Sequence, residues 1–217
     1  MSPPAASPHA PHEAAVAHLR GAHDGMDALI GRVGPCRLGG PRSAGLGEQE
    51  LLVALMEAIV SQQLSPKAAD TIFGRVRALV DGPLAPATVL ALPEETLRGA
   101  GLSGAKTRSV RDLCEHVQRG DLALESLAGM DDDAVIASLT RVRGIGRWTA
   151  EMVLMFQLAR QDVLPEGDLG IQKGVQKLFG LRKLPPAERM VKLTRPFRPY
   201  RSVACWYLWR LNDERRE

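Results

Sequence analysis

One carboxylate and a pair of glycines are the residues of this chain around which chemistry can be built. Asp168 stands in Leu164-Pro165-Glu166-Gly167-Asp168-Leu169-Gly170-Ile171, where a loop bearing proline and glycine gives way to a helical pattern. A carboxylate at a helix start accepts the first amide protons, and the positive end of the helix dipole favours its negative charge. Read by itself such an aspartate is a helix cap, and its residue type and spacing alone assign it no further role. Upstream, Leu139-Thr140-Arg141-Val142-Arg143-Gly144-Ile145-Gly146-Arg147-Trp148-Thr149-Ala150 ends one helix, turns on two glycines and starts another. Glycine permits positive φ and close backbone approach. A hairpin that runs into a helix start directs successive N–H groups outward, which suits a phosphate. A plain αα-turn uses the same glycines, so the residues alone leave both readings open.

The elements that must position these groups read as helices throughout. Leu51, Leu52, Leu55, Met56, Ile59 and Val60 mark one apolar face of a helix beginning at Glu48. Ser65-Pro66 restarts a helix with Ser as cap and Pro at its first position, buried through Ala69, Ile72, Phe73, Val76 and Leu79. Short helices are predicted at 86–91 and 93–99, and a longer one at 104–118. The next spans 132–139, capped by Asp131. Beyond the glycines, helices are predicted at 147–160, 169–179, 186–193 and 199–211. A short helix over 13–20 precedes a Gly/Pro-rich loop from Gly31 to Gly47, and residues 1–12, rich in Pro, Ala and Ser, read as a frayed start. No stretch carries sustained strand alternation, and the fold class is all-α.

The chain has 217 residues, with 45% hydrophobic and 24% charged residues, the composition of an ordinary globular protein. The longest uncharged apolar runs, such as Met152 to Phe156, are too short to span a bilayer. No basic region followed by an apolar core opens the chain, so no secretory signal is expected. Its three cysteines, Cys36, Cys114 and Cys205, stand far apart, which excludes a disulfide framework and a four-cysteine metal or iron–sulfur site and fits a reducing cytoplasm. Net charge is +3, but residues 171–217 hold 12 Lys/Arg against 4 Asp/Glu while residues 1–170 hold 16 against 21. Phe197, Tyr200, Trp206, Tyr207 and Trp209 fall in the same basic end. A solvated basic tail and a nucleic-acid face with stacking rings both fit that pattern.

The hairpin Gly144-Ile145-Gly146-Arg147-Trp148-Thr149-Ala150, the loop ending in Asp168 and the terminal run Arg198-Pro199-Tyr200-Arg201-Ser202 to Trp209 together resemble the helix-hairpin-helix DNA glycosylases. The likeness is strongest to the 3-methyladenine DNA glycosylase II branch, which repairs alkylated bases. Ala58-Ile59-Val60-Ser61-Gln62-Gln63-Leu64-Ser65 and Gly101-Leu102-Ser103-Gly104-Ala105-Lys106 match as well, so the resemblance covers about residues 48–211. It implies two helical lobes with an active-site cleft between them and no N-terminal β-domain. The lobes are expected as an N-terminal segment, 1–47, packing with the C-terminal lobe; a helical lobe, 48–163, ending in the helix-hairpin-helix at about 132–160; and the catalytic loop with the basic C-terminal lobe, 164–217.

By the same resemblance Asp168 is the catalytic carboxylate. Trp148, Met152 and Trp209 line the substrate pocket, and Gln63 is the wedge that fills the vacated stack. Arg143, Gly144, Gly146, Arg147 and Thr149 bind the DNA backbone. A structural monovalent ion is compatible with the carbonyls of Thr140, Val142 and Ile145, whereas no catalytic metal and no cofactor are implied. Members that cleave the backbone carry a lysine where this chain has Trp148, so hydrolysis without lyase chemistry is expected. Two departures stand out: Met152 replaces a tyrosine of the best-known branch, and Arg143 replaces a proline common in this hairpin. The expected partner is double-stranded DNA containing alkylated bases, handled by a cytoplasmic monomer (nucleoid-associated if bacterial) without membrane association. Three alternatives remain at this level: a glycosylase for deaminated or oxidised bases, a non-enzymatic helix-hairpin-helix DNA-binding module, and a helical protein–protein scaffold.

Overall fold

The computed structural model describes residues 12–39 and 47–213. The expectations for residues 1–11 and for 40–46 fall outside it. His12, expected as the last frayed residue, is held by a ring nitrogen 2.8 Å from the Leu38 carbonyl oxygen. Among the described residues there are twelve α-helices and no strand. The chain forms two compact units, one of Met1–Ser43 with Ala159–Glu217, the other of Ala44–Leu158.

In the first unit, α1 (Glu13–Ala22) and α2 (Asp24–Val33) pack with each other and with α12 (Arg201–Asp213), which in turn packs on α10 (Leu169–Leu178). Helix α11 (Ala187–Thr194) lies between α10 and α12 in the chain. Leu19, Met26, Leu29, Ile30, Ile171, Val175, Met190, Phe197, Tyr207 and Leu208 are buried in this core. Each such large side chain contributes about 1.5–3 kcal/mol relative to exposure. Gly174 sets how closely α10 meets α12: a Cβ there would lie 2.7 Å from the Leu208 carbonyl oxygen. The run 160–163 is fastened to the start of α12. Ser202 Oγ donates to Arg160 O and accepts from Val163 N. Arg201 clasps the Asp162 carboxylate at 2.7 and 2.9 Å.

Helix α2 is absent from the sequence reading, although Met26, Leu29 and Ile30 have helical spacing and are buried. Gly21, Gly25 and Gly31 obscure that pattern. What starts the helix is local: His23 turns out of α1 with extended backbone, and its ring accepts from Gly25 N.

The second unit contains α3 (Glu48–Ser61), α4 (Pro66–Arg77), α5 (Pro86–Ala91), α6 (Glu94–Gly99), α7 (Gly104–Gln118), α8 (Asp132–Leu139) and α9 (Arg147–Phe156), with a 3-10 turn at Leu124–Gly129. Their starts follow the capping residues. Ser65, Ser103 and Asp131 accept from Ala68, Lys106 and Ala134 N–H groups. Helix α9 ends at Phe156, four residues before the expected Arg160. Gln157 and Leu158 N–H both bond to the Val153 carbonyl, and Ala159 takes a φ of 52°, a left-handed step that ends the helix. At the other end of the chain, α12 begins at Arg201 rather than 199: the Tyr200 carbonyl accepts the first bond of the helix, from Ala204 N–H, which makes Tyr200 its cap.

Candidate active site

Asp168 is the N-cap of α10, and its Oδ1 accepts from Ile171 N at 2.7 Å. The same oxygen accepts from Trp209 Nε1 at 3.1 Å. The side chain is half-buried. One backbone amide and one indole N–H therefore fix the carboxylate in orientation, and both favour negative charge on it. The neighbourhood is tight: a Cβ on Gly170 would lie 2.9 Å from Trp209 Cδ1 and 3.0 Å from Asp168 Oδ1. Asn212 Nδ2 donates to Gly170 O at 2.6 Å, so α12 holds the start of α10 through two side chains one turn apart. Behind Asp168, its own N–H bonds to Pro165 O, and Gln172 Nε2 bonds to Glu166 O, which closes the loop. Leu169, next in the chain, is exposed.

The basic and aromatic end is used differently from a stacking face. Phe197, Trp206 and Tyr207 are buried; the Arg210 guanidinium lies 4.2 Å over the Trp206 ring. Arg198 and Arg201 pair with Asp162. Phe197 lies in the short 3-10 turn Arg195–Phe197, and Trp206 and Tyr207 sit in a run of α12, Ser202 to Leu208, that is buried on every side. Trp209, at the edge, reaches the carboxylate.

In the second unit, α8 and α9 are joined through Thr140–Gly146. Gly144 has a φ of 79°, and a Cβ there would come within 2.5 Å of Ser109 Oγ; only glycine fits. Gly146 caps α9 with extended backbone, no side chain closes that helix start, and no atom lies within 4 Å of where a Cβ would stand. The first N–H groups of a helix have no partner within it. Four amides of this connection are engaged: Thr140 N–H with Ile136 O at 2.9 Å, Val142 N–H with Leu139 O at 3.1 Å, Arg143 N–H with Asp112 Oδ2 at 2.7 Å, and Ile145 N–H with Val142 O at 3.1 Å. The Val142 and Ile145 side chains are buried, as is Thr149. Arg143 and Arg147 are exposed, and Arg147 Nε pairs with the buried Glu151 carboxylate at 3.0 Å. Trp148 is 49% exposed, a large ring left at the surface one turn before the half-buried Met152.

Gln63 is exposed and has a φ of 58°, a conformation that costs a non-glycine residue stability and concentrates at functional positions. Its loop is held by residues to which the sequence reading gave no role. Lys106 Nζ donates to the Val60 and Gln62 carbonyls, each at 2.7 Å, and burial lowers the pKa of this lysine. Gln62 Nε2 donates to Gly144 O at 2.8 Å. Lys106 stands in one of the segments quoted for the resemblance, but its reach to carbonyls 44 and 46 residues away leaves no periodic signal. Among the described residues no cluster of His, Cys, Asp and Glu could hold a metal ion, and no helix is long and apolar enough to cross a membrane.

Residues 56–199 match the family model described as HhH-GPD superfamily base excision DNA repair protein. DNA-3-methyladenine glycosylase 1 of Schizosaccharomyces pombe is 33% identical over 196 residues, covering 89% of this chain and 84% of that protein. A solved 3-methyladenine DNA glycosylase of the same yeast, in complex with abasic DNA, superposes with a TM-score of 0.79 at 32% identity, covering 92% of this chain and 97% of the other. A DNA-3-methyladenine glycosidase from Bacillus halodurans superposes equally well, with a TM-score of 0.79 at 36% identity over 92% and 91% of the two chains.

Proposed function

The chain belongs to the HhH-GPD superfamily of base excision DNA repair proteins, and on that premise we propose that it is a monofunctional DNA glycosylase that excises N-alkylated bases. The observation that carries the reading is the Asp168 carboxylate, fixed by Ile171 N–H and Trp209 Nε1 at a helix start, in a chain whose relatives are named 3-methyladenine glycosylases. It acts on double-stranded DNA as a monomer, with no cofactor. The S. pombe relative solved with abasic DNA supports the choice of partner.

Alkylation at N3 or N7 gives a purine a positive charge, so the base departs without a strong general acid. When the N-glycosidic bond breaks, its electron pair goes to the base, which leaves neutral, and C1′ becomes cationic. Asp168 stabilises that oxocarbenium-like sugar by charge and aligns the water that adds to C1′, the water's proton passing to the carboxylate and on to solvent. A base inside the duplex is out of reach and is flipped first. Gln63 enters the vacated stack, and Trp148, Met152 and Trp209 pack against the flipped cationic base. The N–H groups at Gly144, Gly146 and Thr149 grip one phosphate, with Arg143 and Arg147 adding charge. A monovalent ion over the carbonyls of Thr140, Val142 and Ile145 belongs to the same reading, since Val142 O keeps a second lone pair; no step runs through it.

Trp148 at the lysine position leaves no amine there for a Schiff base. Met152 supplies a flexible wall in place of a planar ring, which extends the range to 1-methyladenine and 3-methylcytosine besides 3-methyladenine and 7-methylguanine. The test is incubation with duplexes that each carry one defined lesion, scoring free base, abasic sites and strand breaks. Base release leaving an abasic strand that breaks only after alkali is expected. Borohydride trapping of an enzyme–DNA adduct during turnover, or release of deaminated or oxidised bases alone, contradicts the reading.

A further inference from the structure

The two side chains around the Gln63 loop form a relay: Lys106 holds the loop, and Gln62, whose carbonyl Lys106 grips, reaches the hairpin. Helix α3 ends at Ser61, so the carbonyls of Val60 and Gln62 are among those left without partners in the helix and at its negative end. Lys106 Nζ, from the first turn of α7, supplies both with a charge-assisted donor at 2.7 Å. Ser103 caps α7 by accepting from Lys106 N at 3.3 Å, which places this lysine at the turn. The next side chain, Gln62, spans to the hairpin through Gly144 O at 2.8 Å. Gly144 is itself pinned, with a φ of 79° and Ser109 Oγ 2.5 Å from where a Cβ would be. Gln63 follows Gln62 directly in the chain, exposed and in the left-handed region at a φ of 58°. A lone surface amide in that conformation relaxes unless its flanks are fixed, and here the Gln62 side that precedes it is.

We propose that Lys106 and Gln62 form a bracket joining the Gln63 loop to the Gly144 hairpin, so that gripping the backbone phosphate and driving Gln63 into the base stack are one coupled event. Lys106 is a positioning residue: it touches neither the base nor the sugar and acts through Gln63. This deepens the proposed function and rests on its assignment of Gln63 as the wedge.

The coupling is tested on the full chain with Lys106→Met, Gln63→Ala and the double variant. One readout is single-turnover release of 7-methylguanine. The other is the fluorescence rise of 2-aminopurine beside an uncleavable abasic analogue, which reports unstacking without chemistry. Lys106→Met is expected to lower both by about tenfold, the scale of a lost hydrogen bond to a charged group, with duplex affinity within about twofold of the parent. In the Gln63→Ala background the same change is expected to cost nothing further, the non-additivity of residues acting through one another. Equal losses in both backgrounds, or parent-like behaviour of Lys106→Met, overturn the bracket. Should Lys106→Met melt before it can be assayed, Gln62→Leu removes the hairpin link alone and is expected to give the same pattern; additive losses there overturn it too. A parent chain that releases no alkylated base contradicts the proposed function, while the 2-aminopurine signal still decides the bracket.

Discussion

Asp168 and Trp209 are 41 residues apart in the chain and share one hydrogen bond at 3.1 Å. An indole N–H on a carboxylate does two things at once: it sets the direction of the oxygen and it stabilises its charge. Trp209→Phe keeps a ring and deletes the donor. It is expected to slow single-turnover base release about tenfold or more, as loss of a hydrogen bond to a charged group costs about 1.5–3 kcal/mol, with duplex binding retained. Undiminished turnover in that variant leaves Trp209 as a packing ring alone. At this scale the sequence was informative about caps and silent about partners. Ser65, Asp131 and Asp168, expected as caps, each cap the helix that follows, because a cap depends on residues three apart; Ser103 caps α7 in the same way without having been singled out. The clasp of Lys106 on the end of α3 depends on a fold that brings distant segments together, and neither spacing nor composition encodes it.

The hairpin shows what two glycines of one motif do separately. Gly144 is held at positive φ against Ser109, while Gly146 has open space. Gly144→Ala is expected to destabilise the fold by about 1–3 kcal/mol, from backbone strain and the forced movement of Ser109, seen as a lower Tm. Gly146→Ala is expected to shift stability by no more than about 0.5 kcal/mol. A large side chain at Gly146 weakens binding to all duplexes alike, since phosphate contacts carry no sequence information. Equal melting of the two alanine variants contradicts this division. Helix α2 marks the limit of periodicity: three buried residues at helical spacing were outweighed by three glycines, and the His23 cap that starts it is not a residue type normally read as one. The end of α9 was missed for a related reason, since Ala159 in the left-handed region has nothing in its type to announce it.

At the scale of the molecule, the basic C-terminal segment divides between core and surface. Phe197, Trp206 and Tyr207 are buried in the unit of α12, and Arg198 and Arg201 are paired with Asp162, so these three rings are core and not a stacking face. That packing has a pH signature. Burial raises the thiol pKa of Cys36 from 9.0 to about 11 and of Cys114 from 9.0 to about 12, and burial together with nearby Cys36 raises the Tyr207 hydroxyl from 10.0 to about 12. From pH 9 upward the unfolded chain releases protons that the folded chain retains, so stability is full below that range and falls as pH rises through it. Denaturant midpoints across pH 7–11 are expected to be level at first and then decline. A thiol reagent at pH 8 is expected to modify Cys36 and Cys114 only on unfolding; rapid labelling in the native protein contradicts their burial.

The central claim, that Asp168 supplies the charge for base release, is tested most directly by Asp168→Asn. Asparagine keeps an oxygen for the Ile171 N–H, so the cap and the fold survive while the negative charge is lost. Single-turnover release of 7-methylguanine is expected to fall at least about a hundredfold, since one well-placed electrostatic group is worth ~3 kcal/mol or more in the transition state. Affinity for the same duplex should stay close to that of the parent. An Asn variant that releases the base at the parent rate makes Asp168 a helix cap and nothing more.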